Sequence, residues 1–162
     1  MTDITVVPQS SMDADTVAGV AQFLGPIVVD LTALGVDGKQ AHWHVRGANF
    51  QAVHELLDTI VDHAHEYADT AAERVVALGL PLDVRIQTVG AKATNPPLAA
   101  GFQQSDVVIA QIIASIDATL VTVRTAVAEL AELDAVSQDV AIEIARGLEK
   151  DRWFLFAHLA TK

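Results

Sequence analysis

The stretch KQAHWHVRGANFQAVHELLD, residues 39–58, joins two helical patterns through a short turn. Apolar residues recur at helical spacing from Asp13 to Val45 before the turn, and a second helical pattern runs from Gln51 to Leu78 after it. Gly47 and Asn49 interrupt the periodicity, because both residue types favour turns over helix interiors. The sequence therefore predicts an antiparallel pair of long helices.

The rest of the chain predicts two more long helices after a long connection. Residues 80–101 contain three of the five prolines, so they form a crossover that has room for one short helix. Helical patterns follow over residues 105–133 and 136–160. Pro26 is expected to bend the first helix or to mark an early break in it, because proline lacks the backbone N–H of the helix ladder. Connections in the order short, long, short predict an all-α, ferritin-like four-helix bundle with a long crossover between the second and third helices.

Length and composition favour one domain that associates with copies of itself. The chain has 162 residues, close to the roughly 150 residues that are typical of one domain. We expect a short acidic tail over residues 1–12 and a single bundle domain over residues 13–162. Hydrophobic residues make up 51 % of the chain, but polar residues interrupt its most apolar stretches. Homo-oligomerisation therefore explains the apolar excess better than a membrane does.

Charge and cysteine content exclude several kinds of chemistry. Because the chain contains no cysteine, disulfides, thiolate nucleophiles and cysteine-ligated metal sites are excluded. The formal net charge of −11 opposes binding to the phosphates of nucleic acids. The first residues lack a basic segment followed by an apolar run, so a cytoplasmic location is expected.

One face of the second predicted helix collects histidine and carboxylate side chains within about 120° of arc. A solvated face is the ordinary explanation, but such a face usually mixes charges, and this one has no Lys or Arg before Arg74. A bound cation would relieve the repulsion among the acids, and imidazole with carboxylate suits iron, manganese or zinc. The residues of this face are His54, Glu55, Asp58, Asp62, His65, Glu66, Asp69 and Glu73.

Helix geometry divides this face between two chains. His54 and Glu73 lie about 28 Å apart along a helix, too far for one metal. His42 and His54 each lie five residues from an end of the turn, so His42, His54 and Asp58 converge at one depth. Asp69 and Glu73 reach that cluster when a second copy of the helix runs antiparallel across a two-fold axis near residue 64. Because the chain has no Glu-x-x-His motif of single-chain di-iron bundles, the site is predicted to lie between subunits.

Two spaced motifs in this region resemble those of the Dps family, the dodecameric mini-ferritins. The stretch 39–58 is similar to the family signature His-Trp-x-(Val/Met)-x-Gly-x-x-Phe-x-x-(Leu)-His-Glu-x-x-(Asp). Fifteen residues after His54, the segment DTAAER at 69–74 is similar to the signature Asp-x-x-Ala-Glu-Arg. The resemblance extends through the last predicted helix, including the segment RWFLFAHL at 152–159.

The resemblance implies an iron-storage and iron-detoxification protein that protects the cell from oxidative damage. Its Fe(II) would be oxidised to Fe(III), with hydrogen peroxide as the implied oxidant, and stored as ferric mineral in a dodecamer built from two-fold dimers. The family's intersubunit ferroxidase ligands fall on His42, His54 and Asp58 of one chain and on Asp69 and Glu73 of its two-fold mate. Trp43 matches a tryptophan beside the family's site, where it would intercept radicals, although a packing anchor explains it equally well. His44, His63 and His65 receive no role.

Acidic residues near the start of the last predicted helix match those that line the family's three-fold ion-entry pores. They are Asp134, Asp139 and Glu143. Acids in the first turns of a helix also favour its macrodipole, so helix stabilisation is the alternative explanation. The termini lack the clustered Lys and Arg of family members that bind DNA through their tails, so we do not expect tail-mediated DNA binding.

Two other functions remain open from the sequence. A metal-dependent hydrolase would use the same ligands to activate water, with Glu55 or Asp62 as the base. A nucleoid-binding protein without catalysis would need the negative charge to be overcome.

Overall fold

The computed structural model describes residues 9–159, which form five helices and one pair of short strands. The helices are α1 (Ala14–His44), α2 (Phe50–Ala77), α3 (Ile86–Lys92), α4 (Ser105–Leu130) and α5 (Ala135–Leu159). Strands β1 (Val45–Arg46) and β2 (Gln103–Gln104) pair in parallel, with Val45 opposite Gln103. The predicted all-α bundle with a short helix in its crossover is confirmed. Residues 1–8 of the predicted tail and the predicted helix end at Ala160 lie outside the described residues.

The helix ends follow from local hydrogen bonds. Asp13 caps α1 because its side chain accepts a 2.9 Å hydrogen bond from the backbone N–H of Thr16. The helix α1 continues through Pro26, so of the two expectations for this residue the early break is excluded and the bend stays a prediction. The helix α4 ends at Leu130 and not at residue 133, because the backbone N–H groups of Leu133 and Asp134 both bond the Leu130 carbonyl and close a turn.

The bundle core lies where α1 packs on α2 and α4, and where α4 packs on α5. Each of these helices buries a stripe of aliphatic side chains, and full burial of one such side chain contributes about 1.5–3 kcal/mol. The largest fully buried residues are Leu24, Ile27, Leu31, Leu34, Leu57, Ile60, Ile109, Ile112, Ile116, Leu130, Ile144 and Leu148.

Two helices, α1 and α4, are long and apolar enough to cross a membrane by length and composition alone. Each contains an 18-residue window with a mean hydropathy of 1.7, and half of each window is buried inside the bundle. The buried half consists of core residues such as Leu24 and Ile112, so helix packing accounts for this apolar character.

The long crossover is attached to the bundle by a buried carboxylate. Asp30 of α1 is almost completely buried and accepts hydrogen bonds from the backbone N–H and the hydroxyl of Thr94, each 2.8 Å long. The Thr122 hydroxyl of α4 donates a third hydrogen bond of 2.7 Å to the same carboxylate. Because α3 itself buries no residue, these polar contacts fix the crossover against the helices that hold the site.

The helices α2 and α5 meet through polar side chains. His63 Nδ1 lies 3.0 Å from both carboxylate oxygens of Asp151, whose exposed fraction is only 2 %. Tyr67 packs over Gly147 so closely that a Cβ at position 147 would overlap the tyrosine hydroxyl. Arg74 donates from Nε to the Ser137 hydroxyl over 2.9 Å. These contacts turn Arg74 towards α5 and away from the acidic face of α2.

Candidate metal centre

The turn between α1 and α2 sets two histidines face to face. Gly47 and Asn49 both have positive φ, 95° and 57°, which lets the chain reverse within a few residues. A Cβ at position 47 would meet only the end of the exposed Gln104 side chain, which can move, so the positive φ is what favours glycine there. His42, in the last turn of α1, therefore lies directly opposite His54, near the start of α2.

The two imidazole rings are locked to each other's backbone. Their centroids are 3.6 Å apart with an interplanar angle of 20°. His42 Nδ1 lies 2.8 Å from the carbonyl oxygen of His54, and His54 Nδ1 lies 2.8 Å from the carbonyl oxygen of His42. A carbonyl oxygen can only accept, so each Nδ1 donates its proton. Each Nε2 therefore keeps a free lone pair, which is the usual arrangement of a metal-binding histidine.

Asp58 completes this cluster from the next turn of α2. Its Oδ1 lies 3.6 Å from His42 Nδ1 and also accepts a hydrogen bond from Lys39 Nζ. That hydrogen bond lowers the pKa of Asp58 below its ordinary value, so the carboxylate is ionised at neutral pH. Sequence reasoning missed Lys39, although the hairpin register that pairs His42 with His54 also brings Lys39 to the level of Asp58.

Asp69 and Glu73 lie apart from this cluster in a single chain. Both are exposed on α2, and Asp69 follows Asp58 by about 16 Å along the helix. Across residues 9–159, neither acid forms an ion pair, because Arg74 bonds Asp134 instead. Within that same range, no three His, Asp or Glu side chains of one chain group closely enough to hold a metal ion. His42 therefore lies beside both His54 and Asp58, but the three do not form a metal site within one chain, and Asp69 and Glu73 remain available to another chain.

Comparison with known proteins agrees with this architecture. Residues 27–162 match the ferritin-like domain family. The DNA protection during starvation protein of Mycolicibacterium smegmatis is 34 % identical over 163 aligned residues, which cover 98 % of this chain and 85 % of the relative. The solved structure of Dps from Microbacterium arborescens in the high iron form has a TM-score of 0.91 and 56 % identity, covering 94 % of this chain and 99 % of that one. The chain belongs to the Dps family of ferritin-like proteins.

A further Dps relative shows how far the fold is shared. The tetragonal form of Dps from Mycobacterium smegmatis superposes with a TM-score of 0.88 at 29 % identity, over 96 % of this chain and 94 % of that structure. The resemblance predicted from the two motifs is therefore confirmed for the family and for the fold.

The remaining α1 and α2 histidines of this Dps-family chain lie outside the cluster. His44 Nδ1 is 2.6 Å from Gln40 Nε2, and its ring meets Phe102 edge to face at 5.2 Å. His63 is held by Asp151, as described above. The ring of His65 packs on Gly35, where a Cβ would come within 2.8 Å of its Nε2.

Trp43 is the most exposed aromatic residue near the cluster. It follows His42 directly in α1, and 61 % of its surface is exposed. The redox role and the packing role that the sequence allows for it both stay predictions.

The three acids assigned to an ion-entry pore differ in their surroundings. Asp134 caps α5, because its Oδ2 accepts from the Ser137 backbone N–H at 2.9 Å and from the Arg74 guanidinium at 2.6 Å. Burial raises the pKa of Asp134, but hydrogen bonds from Ser137 and Arg74 outweigh it and lower the pKa to about 2. Asp139 and Glu143 are exposed on α5. Helix stabilisation therefore accounts for Asp134 within one chain, and the pore remains a prediction for all three acids.

Proposed function

We propose that this Dps-family protein oxidises Fe(II) with hydrogen peroxide at sites between subunits and stores the ferric product in a homo-oligomeric cage. The family resemblance implies twelve copies, built from two-fold dimers, and a cytoplasmic location is part of the proposal. In this proposal His42, His54 and Asp58 of one chain bind iron together with Asp69 and Glu73 of its mate. Iron is the substrate and cargo of this site.

The proposal rests on one observation: His42 and His54 each donate a hydrogen bond from Nδ1 to the other's backbone carbonyl. Both Nδ1 atoms donate to carbonyl oxygens, so in the neutral rings both Nε2 lone pairs are left for a metal. Asp58 adds an ionised oxygen ligand at the same level. Nitrogen and oxygen donors of this kind suit iron, and anionic oxygen favours Fe(III) over Fe(II).

The proposed reaction balances with peroxide alone as oxidant. Each hydrogen peroxide accepts two electrons, one from each of two Fe(II) ions, and takes up two protons to give two molecules of water. The O–O bond breaks and no radical leaves the site. The Lys39 ammonium beside Asp58 repels iron cations. The exposed carboxylates of Asp69 and Glu73 from the second chain would offset that repulsion with negative charge.

Anaerobic addition of Fe(II) followed by hydrogen peroxide tests this function. We expect ferric absorbance to rise with two Fe(II) oxidised for each peroxide consumed, and native mass measurement to give a multiple of the two-fold dimer. Hydrolysis of an amide or ester substrate without iron oxidation would support a metal-dependent hydrolase and contradict the proposal.

We also propose that the metal-free protein does not bind DNA through its tails. The net charge of −11 for each chain is multiplied in any homo-oligomer, so repulsion from phosphates dominates at about 0.15 M salt. A gel-shift assay at pH 7.5 in which the protein retains plasmid DNA, and releases it when salt is raised, would contradict this statement.

A further inference from the structure

The two ends of the α1–α2 hairpin have different surfaces. At the histidine end, Trp43 and Phe50 expose their aromatic rings to solvent. At the other end, α2 carries a shallow groove of about 430 Å³. Its walls are Ala72, Glu73, Val76 and Ala77, and Val76 is 53 % exposed. One end therefore presents large rings, and the other presents a recess between small side chains.

The register of the hairpin places these two surfaces opposite each other in a dimer. The proposed site requires Glu73 of one copy to reach the level of His54 in the other, which puts a two-fold axis near residue 64 of α2. Within one chain, Trp43 lies at the level of His54, because its neighbour His42 stacks on that ring. The groove begins at Ala72 and ends at Ala77, so the same axis brings it to the level of the partner's Trp43.

Charge favours this antiparallel pairing over a parallel one. At the histidine end the partly exposed Lys39 ammonium offsets the charge of Asp58, its ion-pair partner. The groove end carries Asp69 and Glu73, whose neighbour Arg74 is directed to Asp134. An antiparallel pair brings the Lys39 end to the acidic end, whereas a parallel pair would bring acids against acids.

We infer that Trp43 of one copy inserts its indole into the Ala72–Ala77 groove of a second copy and thereby positions that copy's Glu73 at the shared site. The inference rests on the two-fold arrangement of the proposed function. Glu73 itself lines the groove, so a ring that fills the recess limits where its carboxylate can lie. Trp43 acts as a positioning residue, and its indole needs no electron-transfer role.

Fluorescence of the metal-free protein tests the contact without any activity. The chain has two tryptophans, so the Trp153→Phe variant leaves Trp43 as the single reporter. We expect blue-shifted emission and weak quenching by acrylamide in the assembled protein, although Trp43 is 61 % exposed in one chain. Emission and quenching equal to those of free indole in water would overturn the inference.

A charge in the groove identifies where Trp43 is seated. In the single-tryptophan background, Val76→Asp is expected to shift the emission to longer wavelength and to increase acrylamide quenching severalfold. Val121→Asp is the matched control, because Val121 is 68 % exposed on α4, and it should leave both signals unchanged. Equal effects of the two variants, or no effect of Val76→Asp, would place Trp43 elsewhere and overturn the inference.

Oxidation rates then separate positioning from redox chemistry. Trp43→Ala is expected to slow peroxide-driven Fe(II) oxidation about tenfold, and Trp43→Phe, which keeps an apolar ring without an indole, should restore most of the rate. Failure of Trp43→Phe to restore the rate would contradict the positioning role. A protected Trp43 in a wild-type protein that oxidises no iron would support the interface and reject the proposed function, so the two can fail separately.

Discussion

Two histidines of α2, nine residues apart in sequence, differ in the group that holds their Nδ1 atoms. His54 Nδ1 lies 2.8 Å from the backbone carbonyl of His42 in the neighbouring helix α1. His63 Nδ1 lies 3.0 Å from the buried carboxylate of Asp151 in α5. Either partner on Nδ1 leaves Nε2 free for a metal. The difference lies in the neighbours: His54 stacks on His42 with Asp58 beside them, whereas the His63–Asp151 contact joins α2 to α5. Residue type and helix position do not separate a candidate ligand from a histidine that only joins two helices, but the other donor side chains around the ring do.

Substituting each histidine gives the largest expected contrast. We expect His54→Ala to lower the rate of peroxide-driven Fe(II) oxidation about 100-fold, because even partners of metal ligands contribute about 10–100-fold. His63→Ala should retain near wild-type oxidation while losing about 1–3 kcal/mol of stability, since Asp151 is then buried without its partner. Initial oxidation rates and thermal unfolding, measured on the same variants, distinguish these outcomes. A loss of oxidation rate in a folded His63→Ala protein would contradict the purely structural role of His63.

Mixed assemblies test whether the His54 cluster is completed by another chain. Two inactive proteins, His54→Ala/Asp58→Ala and Asp69→Ala/Glu73→Ala, should regain part of the oxidation rate when they are unfolded and reassembled together. Each mixed dimer then holds one intact site and one site with no intact half. Native mass spectrometry verifies the mixed dimers, and their inactivity would contradict a site shared between subunits.

Lys39 gives a further difference between the surroundings of His54 and His63, because it pairs with Asp58, a proposed metal ligand beside His54. Replacing it by Met removes a cation that competes for Asp58, so we expect severalfold tighter binding of Zn²⁺ by calorimetry. Lys150→Met is the control, since Lys150 is exposed on α5 and lies near the Phe154 ring. Unchanged Zn²⁺ affinity in Lys39→Met would show that the ion pair does not oppose the metal.

Asp134, at the start of α5, tests the same distinction between a residue that only stabilises the fold and one that also serves the function. Asp134→Ala should lose about 1–2 kcal/mol of stability as a helix cap, with an unchanged oxidation rate if capping is its whole role. Because the folded pKa of about 2 lies below the ordinary value of 3.8, the stability that Asp134 supplies is present above pH 4 and is lost as the pH falls towards 2.

The exposed acids of the predicted pore are tested separately from that cap. Asp139→Asn/Glu143→Gln should keep its stability and slow the initial oxidation, with a deficit that shrinks as added salt screens the field. Stopped-flow absorbance measures the rate. An unchanged rate in a fully assembled variant would remove Asp139 and Glu143 from any entry path.

The pH dependence of the His63 contact gives the smallest expected effect. Burial raises the pKa of Asp151, and the hydrogen bond from His63 only partly offsets it. A raised carboxyl pKa means that the folded state holds the proton of Asp151 more tightly than the unfolded state does. The stability that Asp151 gains from this proton is fully present below pH 4 and is lost as the pH rises through the folded pKa. The stability of wild type relative to Asp151→Asn should therefore decrease with rising pH in chemical unfolding measurements, and an increase would contradict the direction.

Sequence reasoning succeeded where neighbours along the chain decide the structure. The periodicity placed the four long helices, and the short turn around Gly47 placed His42 beside His54. At Pro26 it left a bend or an early break open, and only the continuity of α1 excludes the break. It missed the β1–β2 pair, because two-residue strands carry no periodic signal. The sequence also places the end of α4 three residues too late, because the closing turn at Leu130 depends on backbone hydrogen bonds that composition does not show.

The sequence by itself determined the helix pattern, the family motifs and the acidic face of α2, since each depends on spacing of three or four residues along one helix. Only the tertiary structure decided which groups hold the functional side chains. The Lys39–Asp58 pair spans 19 positions and the His63–Asp151 contact spans 88. Such contacts depend on how helices pack and how far a side chain reaches, and no local period encodes either property.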